Sequence, residues 1–175
     1  MSSPQGGIFA LGTASHAYLE FDATAGTGRE LVAAISLLRE PRTTMGGVNL
    51  VAGFRPELWR QAAPGDAPAE LEGFNEDLIG IDGFVMPATQ HDAVLWLSGS
   101  AYDVIFDVAR GAIAELQGLA TIVEETSSWP YQHDRDLTGF IDGTENPTLI
   151  DAPELALIPE GSPGAGGTIL LLQKL

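Results

Sequence analysis

Two aspartates, two threonines, two glycines and an asparagine fall within Asp136 to Pro147, which reads DLTGFIDGTENP around an apolar pair, Phe140 and Ile141. Gly139 and Gly143 flank Asp142 in a G-x-x-D-G spacing. Glycine on either side frees the backbone for conformations a Cβ forbids and lets a flat ligand approach the main chain. A carboxylate held between them suits proton transfer. The same residues also read as a polar turn in which Asx side chains bond their own backbone. Asn146-Pro147 closes the stretch as a turn and helix-breaking pair.

Other chemistry is thinner. From Asp134, the residues Asp134, Asp136, Thr138, Gly139, Asp142 and Glu145 fill the spacing of a calcium-binding EF-hand loop. Such a loop needs a helix on each side, and here Trp129-Pro130 precedes it and Asn146-Pro147 comes after. His16, His91 and His133 are scattered. His133 lies beside the acidic loop as a possible ligand, against the simpler reading of an ordinary loop residue, and no metal site is expected from the three. Ser127, Ser128 and Thr138 have no local histidine except His133, which makes a poor hydrolase triad. There is no P-loop and no dinucleotide fingerprint.

Periodicity indicates the elements that must position the loop. Ile8 to Phe21 alternates as a half-buried strand. Leu31, Ala34, Ile35 and Leu38 make one face of a helix that starts near Gly28, with Thr27 as cap, and stops at Pro41. Gly47 to Phe54 is a second strand, and Pro56 to Gln61 a helical turn. Ala62 to Asp92 is a long Pro-, Gly- and acid-rich segment. Phe74, Leu78, Ile79, Ile81, Phe84, Val85 and Met86 are expected to pin it to the core. Ala93 to Gly99 is a third strand. A helix then runs to about Gln117, with Ser100 and Asp103 as a capping variant, Tyr102, Ile105, Phe106, Ala109, Ile113 and Leu116 as its buried stripe, and Gly118 as its stop. Leu119 to Thr126 is a fourth strand, and Thr168 to Leu175 a last one in need of a partner. Strand–helix–strand twice over predicts an α+β, ferredoxin-like βαββαβ fold: an antiparallel sheet with both helices on one face.

Composition excludes several classes. The 175 residues carry 24 acids against 8 bases, a net charge of −16, and the sole lysine is Lys174. Phosphate backbones and anionic membranes need clustered Lys and Arg, so neither nucleic acid nor a membrane surface is an expected partner. With no cysteine, disulfides and thiolate chemistry are excluded. No apolar run approaches the roughly 20 residues of a membrane span. MSSPQGG lacks the features of a secretory leader, which predicts a cytoplasmic protein.

The twelve-residue string resembles the signature of the dye-decolourising peroxidases, heme enzymes built of two ferredoxin-like halves. The likeness extends to PQGGIFALGTASHAYLEFD, GFRPELW, MPATQHDAVLWLSGSAYDVIFDVAR and GGTILLLQK. It is greatest to the bacterial group without a secretion signal. The resemblance implies an oxidoreductase that uses heme b and hydrogen peroxide to oxidise a small-molecule electron donor such as a dye or phenol. Asp142 would be the acid–base residue at the peroxide, and Gly143, Thr144 and Glu145 would line the heme, with Asn146 behind them. It also implies that residues 1–150 are the N-terminal half, and 151–175 an acidic linker and the first strand of a second half. The iron-ligating histidine belongs to that second half, which leaves a homo-oligomer or a separate C-terminal half as the expected partner. The alternative is a ferredoxin-like module without catalysis that binds or oligomerises through its sheet and last strand.

Overall fold

The computed structural model describes residues 3–40, 42–43, 46–141 and 143–174. After a 3-10 turn at Gly6–Phe9 come β1 (Ser15–Ala23), α1 (Gly28–Leu37), β2 (Arg42–Thr43), β3 (Gly46–Gly47), β4 (Asn49–Phe54) and α2 (Pro56–Ala62). Next in the chain are β5 (Leu78–Ile79), β6 (Val85–Met86), β7 (Ala93–Gly99), α3 (Tyr102–Glu115), β8 (Ala120–Ser128) and α4 (Ala152–Ala156). Four strands form one sheet in the order β4-β7-β1-β8, with every neighbour antiparallel. With α1 after β1 and α3 after β7, this is the expected ferredoxin-like plan.

Alternation within the strands explains the layers. Ala17, Leu19 and Phe21 of β1 and Ala93, Leu95 and Leu97 of β7 point to one face, where they meet Leu31 and Ile35 of α1 and Ile105, Ala109 and Ala112 of α3. Leu19, Leu31, Leu95, Leu97 and Ile105 lose all exposure. Each such burial contributes about 1.5–3 kcal/mol. His16, Tyr18 and Glu20 of β1 and Val94 and Trp96 of β7 point to the opposite, open face.

An edge strand leaves unpaired backbone groups, and β4 has its own answer. The Gln5 side chain donates from Nε2 to the Ala52 carbonyl at 2.9 Å and accepts from the Ala52 N–H at 2.7 Å. Glu40 accepts the Leu50 N–H at 3.2 Å.

Several local expectations need correction. Ile8 and Phe9 belong to a 3-10 turn, and the first strand starts only at Ser15. Thr27 occupies the N-cap position of α1, where its carbonyl accepts the Leu31 N–H at 2.8 Å, but its hydroxyl makes no capping bond and lies within donating distance of the Leu119 and Thr24 carbonyls. In α3, Tyr102 and Phe106 are about half exposed, at 45% and 47%, while Ala112 takes the buried position between Ala109 and Leu116. Of the apolar residues expected to pin the 62–92 segment, only Phe74 and Met86 are part-buried. Leu78, Ile79, Ile81 and Phe84 are 61%, 77%, 90% and 65% exposed, on a small β5–β6 hairpin that projects from the body. Polar contacts hold the segment instead. Glu57 accepts from the Gly73 N–H and the Asn75 amide, both at 3.0 Å, and Asp77 accepts the Ala88 N–H at 2.7 Å. Residues 168–174 form no strand, and Ile169 and Leu171 stay exposed. Pro41, expected to stop α1, lies outside the described residues, and the helix already ends at Leu37.

Candidate functional site

The chain leaves the sheet at Ser128 and folds back along the open face. Tyr131 and Arg135 form a bridge pair, as do Arg135 and Ile141. Gln132, His133 and Asp134 all take left-handed φ, at +40°, +60° and +63°. Three consecutive non-glycine residues in that region cost steric energy, and they reverse the chain within a few residues. His133 is exposed at the tip of this reversal.

Asp136 organises the turn after the reversal. Its Oδ1 accepts from the Thr138 hydroxyl at 2.6 Å, the Thr138 N–H at 2.9 Å and the Phe140 N–H at 3.0 Å. The Thr138 hydroxyl foremost, with these backbone donors, holds the carboxyl below the usual carboxylate range. Arg135 Nη1 donates to the Gly139 carbonyl at 2.8 Å and braces the turn from the other side. The Asx self-bonding foreseen for a polar turn is therefore present, and it resides at Asp136. Among the described residues no helix flanks the loop: β8 precedes it and the next helix starts at Ala152.

The backbone so fixed displays apolar groups outward. Trp129 is 70% exposed, Leu137 88%, Phe140 76% and Ile141 53%. Gly139 has φ +98° with nothing within 4 Å of where a Cβ would stand, which leaves the main chain open to close approach. At Gly143, φ is +76° and a Cβ would meet the Asn146 amide at 2.8 Å. Gly143, Thr144 and Glu145 share one exposed turn closed by the Asn146 N–H on the Gly143 carbonyl at 3.1 Å. Asp142 lies outside the described residues.

Between loop and sheet is a shallow hollow of about 260 Å³, lined by His16, Tyr18, Ser128, Trp129, Tyr131 and Arg135 among others. Two of its lining residues, His16 and Tyr18, stack on Trp96 of the neighbouring strand. Trp96 lies over Tyr18 with centroids 5.8 Å apart and over His16 at 6.0 Å. Burial pushes the His16 imidazole below its ordinary pKa against the opposing Thr13 contact, and raises that of Tyr18 against its bond to Ser128. The indole N–H of Trp96 donates to His16 Nδ1 at 3.1 Å, and Nε2 lies 3.3 Å from the Thr13 hydroxyl. Both nitrogens are engaged, so His16 is a structural residue. Asp136 stood out in the sequence as the start of the loop and as an EF-hand position, but its role as the turn's acceptor, with Arg135 as a brace, was not foreseen, although D-x-T is an Asx-turn pattern that carries the signal.

The family described as "Dyp-type peroxidase, C-terminal" matches residues 133–175. A dye-decolorizing peroxidase of Rhodococcus erythropolis is 33% identical over 134 residues, which is 76% of this chain and 39% of that relative. One of Mycolicibacterium paratuberculosis is 34% identical over 145 residues, 82% of this chain and again 39% of the relative. The chain belongs to the dye-decolorizing peroxidase family. A solved structure, a variant of DypB from Rhodococcus jostii RHA1 in complex with heme, superposes with a TM-score of 0.75 at 28% identity. It covers 92% of this chain and 54% of that one. As a member of the dye-decolorizing peroxidase family, the chain thus spans 39% of the length of the curated relatives above. Among the described residues, no helix is long and apolar enough to cross a membrane.

Proposed function

We propose that this chain supplies one face of a heme b site in a peroxidase that takes hydrogen peroxide and a small-molecule electron donor. The observation that carries the reading is the loop over residues 129–141, a backbone locked by Asp136 and Arg135 with Trp129, Leu137, Phe140 and Ile141 turned outward. A porphyrin is flat and mostly apolar, and such a surface fits one of its faces. Heme, when bound, would supply redox chemistry toward peroxide.

The residues of the loop would do the rest. Gly139 lets the main chain approach the ring, and Gly143, Thr144 and Glu145 would border it. Asp142, ionised at working pH, would accept a proton from peroxide and return it to the departing oxygen. The histidine that would hold the iron is expected from the second half implied by the family resemblance, since His16 has both nitrogens engaged. Residues 1–150, sheet and loop together, would be one half of the enzyme, with 151–175 an acidic linker toward a second half.

The test is a hemin titration of the 175-residue chain with imidazole added as surrogate axial ligand. A saturable Soret shift is expected, with peroxide consumption that falls at least tenfold in Asp142→Asn. An unshifted Soret band, or equal rates in the two proteins, would sink the reading.

Assembly is a second reading, favoured by one observation. The β5–β6 hairpin exposes Leu78, Ile79, Ile81 and Phe84 together, an apolar cluster of the kind that marks an interaction surface. A homo-oligomer built there would show in sedimentation and would dissociate in the double variant Ile81→Ser, Phe84→Ser.

A further inference from the structure

We propose that Glu20, His91 and Glu124 form a site for a divalent first-row transition ion on the open face of the sheet. One oxygen from each carboxylate and one imidazole nitrogen lie within 4.8 Å of one another. Ligands bound at about 2.1 Å to a tetrahedral ion stand roughly 3.4 Å apart, so rotation of the side chains closes the set.

Two observations beyond the donor set point to a cation. First, Glu20 and Glu124 are direct partners across the β1–β8 pair. Like charges directly opposite destabilise a sheet unless a cation lies between them. Lys174, the sole lysine of a chain at −16, reaches this place from the far end of the sequence. Its Nζ stands 3.8 Å from Glu20 Oε1 and also contacts Glu124. Second, His91 Nδ1 is 3.0 Å from Asp22 Oδ1. That bond leaves the lone pair on Nε2 and fixes the ring, as outer-shell carboxylates do for metal-bound histidines. One imidazole with two carboxylates suits Zn2+ or Mn2+, whereas Ca2+ takes oxygen ligands alone.

Lys174 and the ion compete for the same carboxylates. In calorimetry on the metal-stripped full chain, Zn2+ is expected to bind one site. His91→Ala and Glu20→Gln should each weaken it at least tenfold, Asp22→Asn by about tenfold through loss of the ring's orientation, and Lys174→Ala should tighten it. Circular dichroism verifies that each variant folds. Absence of binding to wild type at millimolar Zn2+, or equal affinity in His91→Ala, overturns the site. An independent readout uses wild type alone: Mn2+ should broaden nuclear resonances of His91, Glu20 and Glu124 first. Broadening centred instead on the exposed acids of the 134–145 loop overturns it as well.

Discussion

The Trp96 indole donates its N–H to His16 Nδ1 at 3.1 Å, across two neighbouring strands. This bond needs a neutral imidazole, since a protonated Nδ1 carries its own hydrogen and cannot accept. Burial also depresses the His16 pKa, because it strips water from the charged imidazolium. In the unfolded chain His16 binds its proton at about 6.5. Below that value the unfolded state takes up more protons than the folded one, so stability falls with pH until the depressed folded pKa is passed. We expect the wild-type Tm to drop as pH falls from 7 through this window, and the drop to be smaller in His16→Gln. Equal pH slopes for the two proteins would remove His16 from the account.

Asp136→Ala removes the acceptor that three donors share. Amide exchange at Thr138 and Phe140 should accelerate at least tenfold, while Asp136→Asn, which keeps an Oδ1 acceptor, should change less. Because the Asp136 pKa is lowered in the folded chain, the wild-type loop should loosen as pH falls through the acid range below 3.8. Exchange measured residue by residue checks both outcomes. Uniform exchange in wild type and Asp136→Ala would show that the carboxylate does not hold the loop.

Leu95→Ala deletes a side chain with no exposed surface at the centre of the sheet. A cost of about 2–5 kcal/mol is expected. It is read as a fall in the urea midpoint at unchanged slope. The neighbouring open-face change Val94→Ala should cost clearly less, as Val94 is only half-buried.

Glu57→Ala should free the 71–75 segment by removing the acceptor for Gly73 and Asn75. Limited proteolysis is expected to cut between residues 63 and 92 faster, with little change in far-ultraviolet dichroism. If cleavage there keeps its wild-type rate, another contact anchors the segment.

How much of this was legible in the sequence differs by element. The strand at Ala93–Gly99 and the helix stripe through Ile105 and Ala109 could be read directly, because alternation and the 3.6-residue period record burial in the order of residues. The 62–92 segment misled for the same reason. Most of its apolar residues look like anchors but stay exposed, whereas Glu57 ties it to α2 and Asp77 and Gln90 brace it internally, through bonds that have no periodic trace.

The family resemblance, the α+β plan and the stretch Asp136 to Pro147 were set by the order of residues alone, since each rests on local pattern or a contiguous string. The roles of single polar residues emerged only from the folded chain. Folding turned His16 inward to Trp96, set Arg135 against the Gly139 carbonyl and brought Glu20, His91, Glu124 and Lys174 together from four distant positions. A hydrogen bond or ligand set depends on distances of a few tenths of an ångström between residues far apart in the chain, and those distances exist only once the strands have paired in register.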